Sequence, residues 1–376
     1  MSSNYKLVES DGELLEAMAE LAGAPAIAVD TEFIRRDTFF PKAGLIQIAD
    51  DRSCFLIDPL TITELEPLRS LMLDPAVVKI MHSCSEDLEV FRHYLAVVPS
   101  PIFDTQLAAA FCGMPFSMGY QRLVEEQLGV SLDKAETQSD WLRRPLNIGQ
   151  LGYAADDVVY LPQIYRNMVA HLQSSGRLWW VEEDCAAMVA SARYPLGPQL
   201  TRLKGAGSLD RTALAYLQAL LDWREVRAIK SDKPRTWILS DKQCLAIAKD
   251  MSADKNTLAT YSSLGRGRPD KFAESFQTML DEINNTEKAE LPPLLPGRPD
   301  AEKNRKTKMM KSMVKQWAQE WGVAPEQLLR RKDTEFLAEM SSAASHELPL
   351  HLNGWRREAI ILPLFALMFS SDGVGL

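Results

Sequence analysis

Residues 27–33 read Ile-Ala-Val-Asp-Thr-Glu-Phe, an apolar run that ends by presenting two carboxylates, Asp30 and Glu32, one residue apart. In an extended strand, side chains alternate with a period of two, so both carboxylates share a face. Two like charges that close repel, and a site holding both ionised also holds a cation or keeps one carboxyl protonated. By itself the pair fits either a metal site or a solvated strand end.

Working outward, short apolar or β-branched runs predict strands at Ala26–Asp30, Leu45–Ala49, Cys54–Asp58 and Val77–Met81. Three arrive in close succession, which predicts an antiparallel meander with one more strand beside it. Helical patterns follow. Ser83 to Glu86 has the spacing of a capping box, placing Asp87 in the first turn of a helix whose apolar face runs through Leu88, Phe91 and Leu95. Asp104 reads as the cap of a helix over Gln106–Cys112. A loop over 131–147 carries Trp141, Arg143 and Arg144, which could meet a base and phosphates or simply anchor a domain edge. A long helix is expected from Ile148 toward Gln173. In it Tyr153 and Asp157, four residues apart, share a face, and Asp156 points elsewhere as a solvated neighbour.

Alternation of strands and helices over the first 200 residues predicts an α/β domain. Segments rich in Pro and Gly at 194–208 and 291–299 mark two boundaries, and what lies beyond the first is purely helical. The expected divisions are therefore 1–205, 206–290 and 291–376. The order Trp223, Ile238-Leu239, Leu245 is echoed by Trp317, Leu328-Leu329, Phe336-Leu337, as if the two helical regions were related.

Hydrophobic content of 46% and charged content of 25% fit a globular protein. The start lacks the basic and then apolar regions of a secretory signal. The apolar run Ala359–Phe369, broken by Pro363, is far short of the roughly 20 residues that span a bilayer and reads as a buried helix. No membrane association is expected. Five scattered cysteines without a C-x-x-C pair argue against disulfides and zinc and for the reducing cytoplasm. The isolated histidines, His82, His93, His171, His346 and His351, show no metal spacing. The net charge of −9 conceals an asymmetry: residues 1–200 carry 15 Lys and Arg against 28 Asp and Glu, whereas 201–376 carry 27 against 23. A mildly basic back half tolerates phosphates, or reflects chance. A basic run, Lys303, Arg305, Lys306, Lys308, Lys311 and Lys315, is a solvated helix face or a nucleic-acid contact.

An early D-x-E, a middle Asp and a late Y-x-x-x-D resemble the DEDD exonuclease superfamily in its tyrosine-containing branch. The words carrying this are Val-Asp-Thr-Glu-Phe at 29–33, His-Ser-Cys-Ser-Glu-Asp-Leu at 82–88 and Tyr-Ala-Ala-Asp-Asp at 153–157. The surroundings, Leu-Ile-Gln-Ile at 45–48, Phe-Asp-Thr-Gln-Leu-Ala at 103–108 and Asp-Trp-Leu-Arg-Arg-Pro-Leu at 140–146, look like the ribonuclease D family. So does the domain order, since residues 220–241 are similar to an HRDC domain and a second HRDC-like domain would follow. The resemblance implies a ribonuclease H-like mixed sheet flanked by helices, then all-α domains. It implies a 3′→5′ exoribonuclease that releases nucleoside 5′-monophosphates with two divalent ions, Mg²⁺ or Mn²⁺, in 3′ maturation of tRNA and other small structured RNAs. Asp30 would bridge both ions, Glu32 and Asp157 would hold the one carrying the attacking water, Asp87 would serve the other, and Tyr153 would orient the water. The expected partner is RNA with a free 3′ end, such as a tRNA precursor, with no obligate protein partner evident. The alternatives are a DNA-directed 3′→5′ exonuclease and a catalytically inactive nucleic-acid-binding scaffold.

Overall fold

β2 (Ala26–Ile34) lies inside a six-stranded sheet, preceded in the chain by β1 (Lys6–Val8) and α1 (Asp11–Leu21). β3 (Lys42–Ala49) and β4 (Cys54–Ile57) follow, then α2 (Glu66–Leu73), β5 (Val78–Met81), α3 (Ser85–Tyr94), β6 (Ile102–Asp104) and α4 (Thr105–Phe111). The strand order is β1-β4-β3-β2-β5-β6, with β2, β3 and β4 antiparallel and the other pairings parallel. The expected meander with a strand beside it is present. β1 and β6, three residues each, have too short a pattern to be foreseen. The computed structural model describes residues 4–132, 139–195, 197–295, 301–340 and 348–370, with backbone alone at 369–370. Parts of the loop at 131–147 and of the segments at 194–208 and 291–299, and His346, lie outside those residues.

The sheet separates two apolar layers. Ile27, Val29, Ile46, Ile48, Phe55 and Ile57 face one side, and Ala28, Leu45, Ala49, Leu56 and Ile80 face the other. Along β2 the alternation therefore sends Thr31 with the first set and Asp30 and Glu32 with the second. The turn into β5 is held by Lys79, fully buried, whose ammonium donates to the carbonyls of Asp74 (2.8 Å), Val77 (2.7 Å) and Ser100 (2.8 Å). Burial pulls its pKa down to about 8.

After α5 (Tyr120–Leu128) come α6 (Ile148–Val159), α7 (Leu161–Ser174) and α8 (Leu178–Arg193). The single long helix expected from Ile148 toward Gln173 is thus two. Pro162 sits in the first turn of α7, where a missing amide costs nothing, but it could not have continued α6.

Two compact units emerge. One unites the described residues of 1–34, 42–194 and 300–376; the other unites 35–41 and 195–299. The second is helical: α9 (Arg211–Ser231), α10 (Arg235–Ile238), α11 (Asp241–Asp250), α12 (Lys255–Thr260) and α13 (Ala273–Asn284) enclose Leu217, Leu220, Leu221, Ile247, Phe276 and Leu280. Asp232, left-handed at the end of α9, accepts from the amides of Phe39 (2.9 Å) and Phe40 (3.1 Å), tying 35–41 to this unit.

The helices beyond residue 300 share the nuclease core instead. α14 (Ala301–Trp321), α15 (Pro325–Leu328), α16 (Arg331–Leu337) and α17 (Leu362–Ser370) contribute Met310, Val314, Ala318, Leu328, Leu337 and Phe365 to the layer that holds Phe91 and Phe111. Trp355 stacks on Trp180 of α8 at 4.4 Å and meets Phe111 edge-on at 5.4 Å. Its amide donates to Glu183 (2.7 Å), and Arg356 forms a buried bidentate pair with Asp184. The buried helix expected over Ala359–Phe369 begins as a π-helical turn at Arg357–Ile361 and continues as α17.

Candidate active site

Asp30 and Glu32 stand mid-strand, with a register shift between Glu32 and Phe33, where the sequence suggested a strand end. The helix they face is α6, capped reciprocally by Asn147 and Gln150. Its inner face is built from Ala154, Ala155 and Val158, and such small side chains let it lie close on the sheet. The next turn brings Asp157 to the strand carboxylates: Asp30, Glu32 and Asp157 each offer an oxygen, all within 4.8 Å of one another. Each carboxylate keeps part of its surface open to solvent.

The three titrate as crowded, desolvated acids. Burial, then the neighbouring charges of Asp87, Asp157 and Glu32, holds Asp30 well above the usual carboxylate range. Burial and the charges of Asp157 and Asp87 push Glu32 up to about 9. Asp157 rises to about 7, again chiefly by burial, opposed by a hydrogen bond from Tyr153. The phenol of Tyr153 is itself held above its ordinary value by burial and by the adjacent carboxylates, so it keeps its proton and serves as a donor.

Asp87 stands apart from this cluster. It lies in the first turn of α3, buried, and the hydroxyl of Thr31 donates to it from the opposite face of β2. Burial raises its pKa to about 6, with Thr31 opposing the shift. The capping box expected at Ser83 is absent: Ser83 adopts φ +58, and the N-cap of α3 is Cys84, whose side chain makes no cap bond. The amide of Cys84 donates instead to Asp104 Oδ2 (2.9 Å), while Oδ1 of that carboxylate accepts from Gln106 (2.9 Å) and Leu107 (3.0 Å). One side chain thus caps α4, as expected, and also sets where α3 begins.

The loop with the indole and two guanidiniums proves to be an anchor. Trp141 is buried against Gly44, where an added Cβ would come within 2.7 Å of the indole's own Cβ, and it packs on the Tyr153 ring at 6.2 Å. Arg144 pairs with Asp58 and donates to the carbonyls of Gly44 (2.7 Å) and Trp141 (2.8 Å). Only Arg143 of the three is exposed. His82 is structural, its ring nitrogens meeting Thr105 Oγ1 (2.9 Å) and the Met118 carbonyl (3.1 Å). In the basic run, Lys303 pairs with Glu339 and Lys306 with Glu302, and Arg305, Lys308, Lys311 and Lys315 are exposed along α14.

The sequence reading passed over two residues. Thr31 is the middle residue of the D-x-E, and the alternation that pairs Asp30 with Glu32 necessarily aims it the other way. Tyr120 has no such signal; its hydroxyl donates to the Asp156 carbonyl (2.7 Å), and its ring lies 5.5 Å from His82.

Comparison with known proteins meets the same residues. A 3′-5′ exonuclease family profile matches residues 5–173, and an HRDC domain profile matches 213–280. Ribonuclease D of Pseudomonas paraeruginosa is 38% identical over 356 residues, covering 93% of this chain and 94% of the relative. Ribonuclease D of Escherichia coli is 33% identical over 97% of this chain and 98% of its own. The chain belongs to the ribonuclease D family. It is a 3′→5′ exoribonuclease, a hydrolase. The crystal structure of Escherichia coli RNase D, described as an exoribonuclease involved in structured RNA processing, superposes with a TM-score of 0.88 at 31% identity, covering 98% of this chain and 99% of that one. The ribonuclease D likeness thus extends over both compact units, and the mixed sheet with helices behind it is the fold expected of the family. Among the described residues, no helix is long and apolar enough to cross a membrane.

Proposed function

We propose that the chain is a divalent-metal-dependent exoribonuclease that removes nucleoside 5′-monophosphates from RNA 3′ ends, acting in the maturation of tRNA and other small structured RNAs. The observation that carries this reading is the convergence of Asp30, Glu32 and Asp157, each offering an oxygen, all within 4.8 Å of one another. An all-oxygen, multiply anionic donor set fits Mg²⁺ or Mn²⁺ and does not suit softer metals. When bound, two such ions lower the pKa of a water and stabilise charge on the attacking and departing oxygens of the phosphodiester.

The protein's own part is to hold and aim. Asp30, Glu32 and Asp157 would hold the metal, and Asp87, fixed by Thr31, would add its carboxylate to the same site. Tyr153 retains its proton and so positions the attacking water by donating or accepting a hydrogen bond, without acting as the base. Residues 1–205 carry the catalysis, 206–290 form an HRDC domain, and in the expected third region, 291–376, the helices α14–α16 repeat its plan while joining the nuclease core. The cytoplasm suits five free thiols.

Time-resolved digestion of a 3′-tailed, tRNA-like RNA and a matched DNA, with Mg²⁺ or EDTA, tests the reading. Stepwise shortening of the RNA, lost with EDTA and in Asp30→Ala, is the expected result. Equal or faster shortening of the DNA would overturn the RNA assignment, and RNA shortening that survives EDTA would overturn the metal.

A further inference from the structure

Gln47 is an amide in a place where the fold has use only for an apolar side chain. It lies on β3, fully buried, directly across from Asp30 on one side and Leu56 on the other. Partners in an antiparallel pair face the same way, so its side chain enters the layer beneath α6 together with Asp30. Its neighbours two residues either way, Leu45 and Ala49, belong to the apolar layer built with Ala154, Ala155 and Val158. Neither its Nε2 nor its Oε1 has a hydrogen-bond partner. Two other buried glutamines behave differently: Gln243 donates to the carbonyls of Tyr261 (3.1 Å) and Gly267 (3.0 Å), and Gln150 completes the cap of α6.

An unpaired buried amide destabilises a fold, and a methionine or leucine would fill the same volume without that penalty. What distinguishes the position is the carboxylate beside it. Cross-strand Cβ atoms stand about 4.5–5.5 Å apart, which leaves the terminal amide of a glutamine within reach of an aspartate's oxygens. We propose that Gln47 is a positioning residue for Asp30: once that carboxylate is ionised on a divalent cation, Nε2 donates to it and fixes the direction in which its remaining lone pairs point. A ligand held by such a donor binds its ion more tightly than a free one. This deepens the proposed function and rests on its metal-binding carboxylates.

The test compares the full chain with Gln47→Met and Gln47→Leu, which delete the donor and keep the volume. Titration with Mn²⁺ alone by calorimetry gives the affinity, thermal unfolding of the metal-free proteins gives stability, and digestion at saturating Mn²⁺ gives KM for RNA. The expected result has opposite signs: the metal-free midpoint is equal or higher, the Mn²⁺ Kd rises about 10–100-fold, and KM for RNA does not move. Mn²⁺ affinity within twofold of wild type in both variants overturns the proposal, and so does failure of both to fold, which makes the amide a structural necessity. If wild type itself takes no Mn²⁺, the metal reading falls and this inference with it. If wild type binds and the variants bind equally, only the inference falls.

Discussion

Residues 211–250 and 301–337 each run a 21-residue helix, a four-residue helix and then a third helix entered through extended backbone, yet only the first closes a core of its own. The entries match in detail. Ser240 and Arg330 both have φ −74 and ψ 160, and their amides donate to side chains three residues on, Gln243 (2.9 Å) and Asp333 (3.1 Å). In the first region Trp223 meets Phe272 and Phe276 of its own unit. In the second, the rings turn to Trp180 of α8. A buried guanidinium closes each short helix: Arg224 donates to the Leu239 carbonyl and Arg356 to those of Leu328 and Gln327. The carboxylates opposite them differ. Asp241 is mostly exposed, whereas Asp184 is buried and comes from the nuclease. An amphipathic pattern specifies that a helix forms and which stripe is buried, but not what buries it.

The sharpest way to break this comparison is Asp184→Ala, which leaves Arg356 buried without its partner. We expect a loss of about 3–5 kcal/mol in the nuclease transition, and of activity with it. The transition of α9–α13 should stay in place in two-probe urea unfolding, and a shift of both transitions together would show that the two regions are not separable.

Next comes pH. Asp30, Glu32 and Asp157 have folded-state pKa values above their unfolded ones, so the native protein holds protons that the unfolded chain releases. Stability must then fall as pH rises from about 4, through about 7 for Asp157, to about 9 for Glu32. The metal-free nuclease midpoint should drop across that window, Mg²⁺ should flatten the curve, and α9–α13 should show neither effect.

Thr31→Val keeps the shape and removes the donor to Asp87. A cost of about 1–3 kcal/mol to the nuclease transition is expected, along with a raised Asp87 pKa readable by carboxyl NMR. Smallest is Asp241→Ala, at about 1 kcal/mol or less and confined to the α9–α13 transition, because the Asp241 carboxylate is mostly exposed and screened by solvent while the buried Arg224 keeps the Leu239 carbonyl.

The site was legible where geometry is local. A period of two places Asp30 beside Glu32, and a spacing of four places Tyr153 beside Asp157. The meander was legible too, because its strands are apolar runs that follow one another closely. The start of α3 was not, since the group that satisfies Cys84 is Asp104, twenty residues away, whereas the nearby Ser-x-x-Glu only imitates a cap. For Trp141 and Arg144 the sequence left nucleotide contact and domain anchor both open, because nothing in their own loop reveals that Gly44 lacks a side chain to make room for an indole. Nor could the stripe Met310, Val314, Ala318 announce that it joins the core behind the nuclease sheet.

That last arrangement bears on how the enzyme is born. Trp180 leaves the ribosome long before Trp355, and at about 5–20 residues per second the interval is on the order of ten to thirty seconds. During it the nuclease strands are complete in sequence but the aromatic wall of α8 lacks its cover. The layer behind the sheet is therefore completed only by residues made long after the strands themselves, and until then the aromatic face of α8 stays uncovered.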